Sequence, residues 1–256
     1  MQENKKKKLD NIEQAIKLAG LPGQLYYTPR QLYYASLRAS PSWRFFAPCV
    51  SDCFDAFLDD LQEYLHLRAA PPGLMNLPAS PPFLVTKGDA PDLHDYGLSS
   101  LVLCQHDDIA AMLIQNQFHL EFGCAILGLS SARPLPDVLC AMLGRAGRPR
   151  IFFLHDASLD ALALIPYLPE YTNLPGNFPI ISAGLRPSQA MRWRLPYHHQ
   201  KMHQPENFPC LPWYLNSAEK QWLQAGKSVE LAALPPAQLL NILREAISQG
   251  EVPSIL

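Results

Sequence analysis

Histidine, aspartate and hydroxyl side chains cluster at two points of the chain, each directly after a short apolar segment. With their neighbours, they are Gln105, His106, Asp107 and Asp108 in the first group and His155, Asp156 and Ser158 in the second. Imidazole and carboxylate groups together suit Mn²⁺, Fe²⁺ or Zn²⁺, so a mixed metal site is one hypothesis. Helix capping explains the same residues, because aspartate and serine are favoured just before a helix.

A second candidate region is the most basic stretch of the chain, which also contains aromatic residues. Its members are Arg186, Arg192, Arg194, His198, His199, Lys201 and His203, with Trp193 and Tyr197 among them. Cations pair with phosphates and aromatic rings stack on bases, so this mixture suits contact with nucleic acid. Arg186, Arg192, Arg194 and Lys201 are therefore candidate DNA-binding residues, and an exposed loop of mixed character is the alternative.

Composition excludes several classes of protein. Of 256 residues, 48% are hydrophobic and 17% charged, and the net charge is -2, which argues against disorder and against a basic protein that coats duplex DNA. No run of about 18 apolar residues is present, so we expect no membrane contact. The basic N-terminus lacks an apolar stretch behind it, and the six cysteines include no CxxC pair. We therefore expect a cytoplasmic protein with reduced thiols and no cysteine-based zinc site.

The elements that must position the candidate residues fall into two parts. Helical spacing predicts three N-terminal helices, over residues 9–19, 29–37 and 52–67. Three short helices suggest a helix-turn-helix or winged-helix unit. Residues 71–92 carry six prolines and two glycines, which indicates a linker or wing, with a short strand at 83–86.

From about residue 97 the pattern alternates between strand and helix. It predicts strands over 100–104, 124–129, 150–154 and 178–182, and helices over 108–116, 135–144, 160–167, 218–224 and 236–248. Such alternation is typical of a parallel sheet covered by helices. Ligand-binding side chains of such a sheet lie just past the carboxyl ends of the strands. The polar residues at 105–108 and 155–158 follow two predicted strands directly, so a binding or catalytic site is expected there.

Four segments, in this order, resemble motifs of one family. They are TPRQLYYASL (28–37), LHDASLDALAL (154–164), GLRPSQ (184–189) and VELAALPPAQLLNIL (229–243). The family is that of the topoisomerase VI A subunit and the related meiotic double-strand-break transesterase, and Toprim subunits of bacterial plasmid-defence condensin systems share its layout. The resemblance implies an α/β protein with a helical winged-helix-like domain at 1–70, a linker or wing at 71–92, and a Toprim-like parallel-sheet domain with C-terminal helices at 93–256.

The resemblance also implies a mechanism. In that family a tyrosine attacks a DNA phosphodiester, and Toprim acidic residues hold Mg²⁺. The family nucleophile corresponds to Tyr34, and Arg30, one helical turn earlier, could bind a phosphate or the phenolate. Core packing is the alternative role of Tyr33 and Tyr34. Adjacent residues point to different faces of a helix, so we expect at least one of them to point away from the core.

This sequence departs from the family at the metal ligands. The family's glutamate and two aspartates correspond here to Gln105, Asp156 and Ser158. Glutamine and serine offer oxygen but no charge, whereas Mg²⁺ prefers anionic oxygen ligands. We therefore expect at most weakly bound Mg²⁺ or Mn²⁺, and no other cofactor. The helix at 52–67 is strongly acidic, which argues against ordinary groove binding there.

Three functional hypotheses follow, in order of preference. The first is a catalytically degenerate, topoisomerase VI A-like subunit of a DNA-processing or DNA-defence complex, with DNA and a partner subunit or second copy as partners. The second is an active DNA-cleaving enzyme that uses Tyr34 or a remodelled His/Asp metal site. The third is a protein-interaction module without DNA contact.

Overall fold

Four parallel strands form the sheet that organises the second half of the chain. The computed structural model describes residues 2–39, 49–50, 53–75, 97–174, 178–199 and 214–249. The strands are β1 (Ser100–Cys104), β2 (Ala125–Gly128), β3 (Arg150–Leu154) and β4 (Ile180–Ser182), in the spatial order β2-β1-β3-β4. The prediction of an α/β protein with a parallel sheet is therefore confirmed.

Three N-terminal helices precede the sheet, and shorter helices connect and follow its strands. The N-terminal helices are α1 (Gln2–Ala19), α2 (Pro29–Ala39) and α3 (Phe54–Leu67). The others are α4 (Asp107–Gln115), α5 (Phe118–Phe122), α6 (Asp137–Arg145), α7 (Leu159–Leu164), α8 (Leu168–Thr172), α9 (Pro187–Arg192), α10 (Ser217–Gln224) and α11 (Pro236–Gln249). Strands β5 (His198–His199) and β6 (Lys227–Ser228) form a short antiparallel pair, and Leu231–Ala233 form a 3-10 turn.

Helix α2 begins where its sequence predicts. Thr28 caps it: its Oγ1 accepts from the Gln31 N–H at 3.1 Å, and Gln31 Oε1 accepts from the Thr28 N–H at 3.0 Å. This reciprocal pair satisfies two main-chain donors that the helix start would otherwise leave without partners. Pro29 follows as the first helical residue, where its missing N–H costs nothing.

Both faces of the sheet are buried. Val102 and Phe152 belong to a core that continues into the N-terminal helices and α11, whereas Leu103 and Phe153 belong to a second core with α6. Burial on both faces explains why β1 and β3 are continuous apolar runs rather than alternating ones.

The expectation that Tyr33 or Tyr34 points away from the core is wrong. Tyr33 is 4% exposed and Tyr34 is fully buried. Tyr33 packs edge-on against Phe54 of α3, while Tyr34 contacts His198 of β5, so α2 is covered on two sides. Among the described residues, no helix is both long and apolar enough to span a membrane. The predicted wing strand at 83–86 lies outside the described residues.

Candidate functional site

The crevice of the sheet lies between β1 and β3. The chain goes from β1 to β2 on one side, and β3 then pairs with β1 on the other, so the two connections diverge at this point. Ligands of open parallel sheets bind at such a divergence, outside the carboxyl ends of the strands. Cys104 pairs with Leu154 at the ends of these strands, which brings both predicted polar groups together.

Asp156 is the centre of this edge, and every polar atom that it presents there has a partner. Its Oδ2 lies 2.7 Å from His106 Nε2, and its Oδ1 accepts from the Leu231 N–H at 2.7 Å. Its own N–H donates to Gln105 Oε1 at 2.9 Å. Burial lowers the pKa of His106, but the hydrogen bond and charge of Asp156 outweigh it and raise that pKa to about 8. His106 is therefore mainly an imidazolium at neutral pH.

A second ion pair joins α2 to the chain just before the 3-10 turn. Arg30 donates from Nε and Nη2 to the two carboxylate oxygens of Glu230, at 2.5 and 2.6 Å. Burial raises the pKa of Glu230, but the hydrogen bonds and charge of Arg30 hold it below its ordinary value. Glu230 precedes Leu231 in the chain, so the two ion pairs meet on one segment. Val229 anchors that segment by exchanging main-chain hydrogen bonds with Ala157 at 2.9 and 3.0 Å.

Tyr34 lies behind this second pair and has no exposed surface. Its hydroxyl forms a hydrogen bond with His198 Nε2 at 2.8 Å. Burial, above all, and the nearby carboxylate of Glu230 raise the pKa of Tyr34 far above its ordinary value. A phenolate nucleophile is therefore disfavoured in this conformation.

The other predicted site residues take structural partners. Ser158 caps α7 by accepting from the Ala161 N–H at 3.2 Å. Asp107 accepts from the Ser130 hydroxyl, and Asp108 Oδ1 accepts from the Ile109 N–H at 2.8 Å. Burial raises the pKa of Asp108. Ser158 therefore serves as the N-cap of α7, whereas Asp107 and Asp108 lie in the first turn of α4.

His155 is fully buried at the same edge, and its hydrogen bonds define its tautomer. Nδ1 donates to the main-chain oxygen of Asp156 at 2.8 Å, because a carbonyl can only accept. Nε2 then accepts from the Ser182 hydroxyl at 2.7 Å. Burial lowers the pKa of His155, so it stays neutral and cannot serve as a charged partner.

The donor set does not fit a hard divalent cation. Gln105 Oε1, Ser158 Oγ and both carboxylate oxygens of Asp156 already accept hydrogen bonds within the protein. Only one of these three side chains carries a negative charge, and Mg²⁺ needs several anionic oxygens in an octahedron. Across the part of the chain that the structure describes, no group of three His, Cys, Asp or Glu side chains is arranged to hold a metal ion.

Two cavities flank the ion pairs. One, of about 720 Å³, is bounded by Gln105, Asp156 and Ser158 on the sheet edge and by His198 and Glu230 opposite. The other, of about 400 Å³, lies on the α2 side and is lined by Arg30, His106 and Asp108, again with Glu230. The two ion pairs therefore form much of the wall between the cavities.

The basic stretch divides into buried and exposed members. Arg186 pairs with Glu219, whose carboxylate is fully buried, through bonds of 3.1 and 2.8 Å. Arg192 and Arg194 are exposed at the end of α9. Lys201 lies outside the described residues. Of the candidate DNA-binding residues, only Arg192 and Arg194 are thus placed on open surface.

Sequence reasoning overlooked Glu230 and His198 as site residues. Glu230 stands in the VELAAL segment that carries the family resemblance, so that motif is the signal that could have identified it. His198 belongs to the basic stretch, but no local pattern links it to Tyr34, 164 residues earlier.

Comparison with models of protein families gives no match, and comparison with curated proteins gives none. Function must therefore be inferred from the geometry of the site and from the resemblance of its segments.

Proposed function

We propose that this protein is a topoisomerase VI A-like, winged-helix and Toprim subunit of a DNA-processing or DNA-defence complex, and that it acts there without cleaving DNA. The observation that carries the proposal is that the four segments of the resemblance contact one another directly. Arg30 of the first binds Glu230 of the fourth, and Asp156 of the second accepts from Leu231 of the fourth. The Leu185 N–H of the third donates to His155 O of the second at 2.8 Å.

These contacts join residues that are up to 200 positions apart in the chain. Unrelated chance matches to four motifs would have no reason to meet around one crevice. The parallel sheet, with its acidic and histidine residues at the carboxyl edge, supports the same layout.

Two observations support the absence of DNA cleavage, one on the candidate nucleophile and one on the candidate metal ligands. Tyr34 is buried with a raised pKa, so it is a poor nucleophile. The oxygens of Gln105, Asp156 and Ser158 accept hydrogen bonds within the protein, and only Asp156 among the three side chains carries a negative charge. A remodelled His/Asp metal site has little support, because His106 and Asp156 are already bonded to each other.

DNA contact is best supported at α9. Arg192 and Arg194 are exposed there, and the half-buried Trp193 stands between them. Helix α3, by contrast, exposes Asp55 and Asp59, which would repel phosphate. We infer that α9 faces DNA and that α3 faces solvent or a basic partner protein.

The test is retention of a labelled duplex at rising salt, combined with a plasmid-nicking assay in Mg²⁺ or Mn²⁺. We expect binding that weakens steeply with salt, and the double variant Arg192→Ala/Arg194→Ala should lower the logarithmic salt slope by about 2. The matched control is Arg145→Ala/Arg148→Ala, which removes two exposed arginines, one at the end of α6 and one just beyond it, and should leave the slope unchanged.

The other outcomes select the alternatives. Nicking that disappears in Tyr34→Phe would identify an active enzyme and contradict the proposal. No retention even at low salt would favour the third hypothesis, a protein-interaction module, for which the acidic surface of α3 is the specific observation.

A further inference from the structure

The end of α9 leads directly into the strand pair β5–β6. Helix α9 ends at Arg192, and Arg194 has a left-handed main chain with a φ of 51°, which turns the chain out of the helix. Residues 195 and 196 are buried, so they anchor this turn in the core. Strand β5 then begins at His198. Helix α10 packs against both α9 and β6, which keeps these elements together.

Alternation along β5 separates two sets of side chains. His198 points inward, since its Nε2 lies 2.8 Å from the buried Tyr34 hydroxyl, so Tyr197 and His199 point to the other face. Lys227 pairs with His199 across β5 and β6, which puts its side chain on that same face. The Lys227 ammonium lies 5.1 Å from the centre of the Tyr197 ring, and the rings of Tyr197 and His199 meet edge-to-face at 5.4 Å. Tyr197 therefore contacts both a cation and an exposed imidazole.

The three cations of this region are available to a ligand. Among the residues that the structure describes, Arg192, Arg194 and Lys227 form no ion pair with a carboxylate. Two of them flank Trp193, whose side chain is half-buried, and the third lies over Tyr197. Each cation is therefore next to an aromatic ring in the sequence or in space. This combination suits a polynucleotide, because cations bind its phosphates and rings stack on its bases.

We propose that residues 192–194, with Tyr197, His199 and Lys227, form a surface that binds single-stranded DNA in preference to duplex. The inference rests on the proposed function, whose DNA contact it narrows. A duplex keeps its bases stacked on one another, so their faces cannot reach these rings and only the cations act on it. A single strand can also lay its bases on Trp193 and His199, and each stacked base adds affinity with little regard to sequence.

The main chain beneath this surface is already fixed. The Trp193 N–H donates to Gln189 O at 2.9 Å, and the Val50 N–H donates to Tyr197 O, also at 2.9 Å. Rings that the fold holds in place lose little freedom when a ligand binds, so more of the stacking energy appears as affinity.

Fluorescence anisotropy of the full chain tests the proposal with two labelled probes, an oligothymidine strand of about 20 nucleotides and a duplex of about 20 base pairs. We expect the single strand to bind at least about tenfold more tightly at the same salt concentration. His199→Ala should weaken binding of the single strand about threefold or more and leave duplex binding unchanged, whereas His199→Phe, which keeps a ring, should retain the preference. Lys227→Gln should weaken binding of both probes, because it removes a phosphate contact.

Matched controls remove the same residue types elsewhere. His66→Ala on α3 and Lys17→Gln on α1 change exposed side chains and should leave both affinities unchanged. Duplex binding as tight as single-strand binding would overturn this inference alone, and so would a preference that survives in a folded Trp193→Leu/His199→Ala variant. If that variant does not fold, as judged by circular dichroism, unchanged single-strand binding in His199→Ala overturns the inference instead. Retention of neither probe by the wild-type protein would contradict this inference and the proposed function together.

Discussion

The ion pair between Arg30 and Glu230 should contribute more to stability than an ion pair on the open surface. Two charge-assisted hydrogen bonds join the side chains, at 2.5 and 2.6 Å, and the side chains are 33% and 22% exposed. The perturbation is a double-mutant cycle with Arg30→Met and Glu230→Gln. Methionine keeps an apolar stem near Phe54, over whose ring the guanidinium lies at 4.5 Å.

The magnitude follows from the two hydrogen bonds and their partial exposure. A hydrogen bond to a charged group contributes about 1.5–3 kcal/mol, so two would contribute up to about 6 kcal/mol if fully buried. Solvent screening of the exposed third of Arg30 roughly halves that value. We therefore expect a coupling energy of about 2–3 kcal/mol, and a similar loss in Arg30→Met alone, because Glu230 then stays charged beside Tyr34.

The assay is urea unfolding of the four proteins of the cycle, and the chain provides its own control. Arg244 and Glu121 form the same two-bond geometry, at 2.9 and 3.0 Å, but their side chains are 41% and 45% exposed. The corresponding cycle there should give about 0.5 kcal/mol. Equal coupling energies for the two pairs, or a value for Arg30 and Glu230 below about 0.5 kcal/mol, would refute the claim that this pair holds α2 in place.

Three further predictions concern neighbouring groups. The pKa of His106 is raised from 6.5 to about 8, so protonation of His106 stabilises the folded protein. This contribution is fully present below pH 6.5 and is lost as pH rises through 8. Because the side chain is 40% exposed and partly screened by solvent, we expect the contribution to be about 1 kcal/mol. Urea midpoints of wild type and His106→Gln should therefore converge by about pH 9, and a constant difference would contradict this. Tyr34→Phe leaves His198 without its buried partner and should lower the free energy of unfolding by about 1–2 kcal/mol, seen as a lower Tm in calorimetry. Gly184→Ala would place a Cβ 2.4 Å from a main-chain oxygen and should destabilise by about 3 kcal/mol or more, whereas Gly144→Ala, in open space on α6, should be neutral or stabilising in the same urea assay.

The sheet was predictable because its strands carry the strongest local signal. Segments 100–104 and 150–154 are apolar after their first residues, Ser100 and Arg150, and the structure has β1 and β3 over those same residues. The predicted strand at 178–182 shortens to Ile180–Ser182, because β4 is an edge strand and only three of its residues pair with β3. Helix α5 has only five residues, too few for a helical period to stand out, and was not predicted.

The site was only partly predictable, for a different reason. Polar residues after two neighbouring strands must share an edge, so the proximity of His106 and Asp156 follows from topology alone. Their partners do not follow, because Asp156 is held by a main-chain N–H from residue 231 and Arg30 by a carboxylate from residue 230. Such choices depend on how distant segments pack, and no local spacing encodes them.

Helix α2 is tied down at three points along its length, by the side chains of Arg30, Gln31 and Arg38. Arg30 binds Glu230, Gln31 donates to Leu234 O, and Arg38 donates to Ala233 O. Tyr34 lies between these ties, so its hydroxyl can reach a bulky reagent only in rare molecules in which the helix has lifted away. Amide exchange along α2 should report the population of that opened form, and any chemical labelling of Tyr34 should track it rather than the intrinsic reactivity of the phenol.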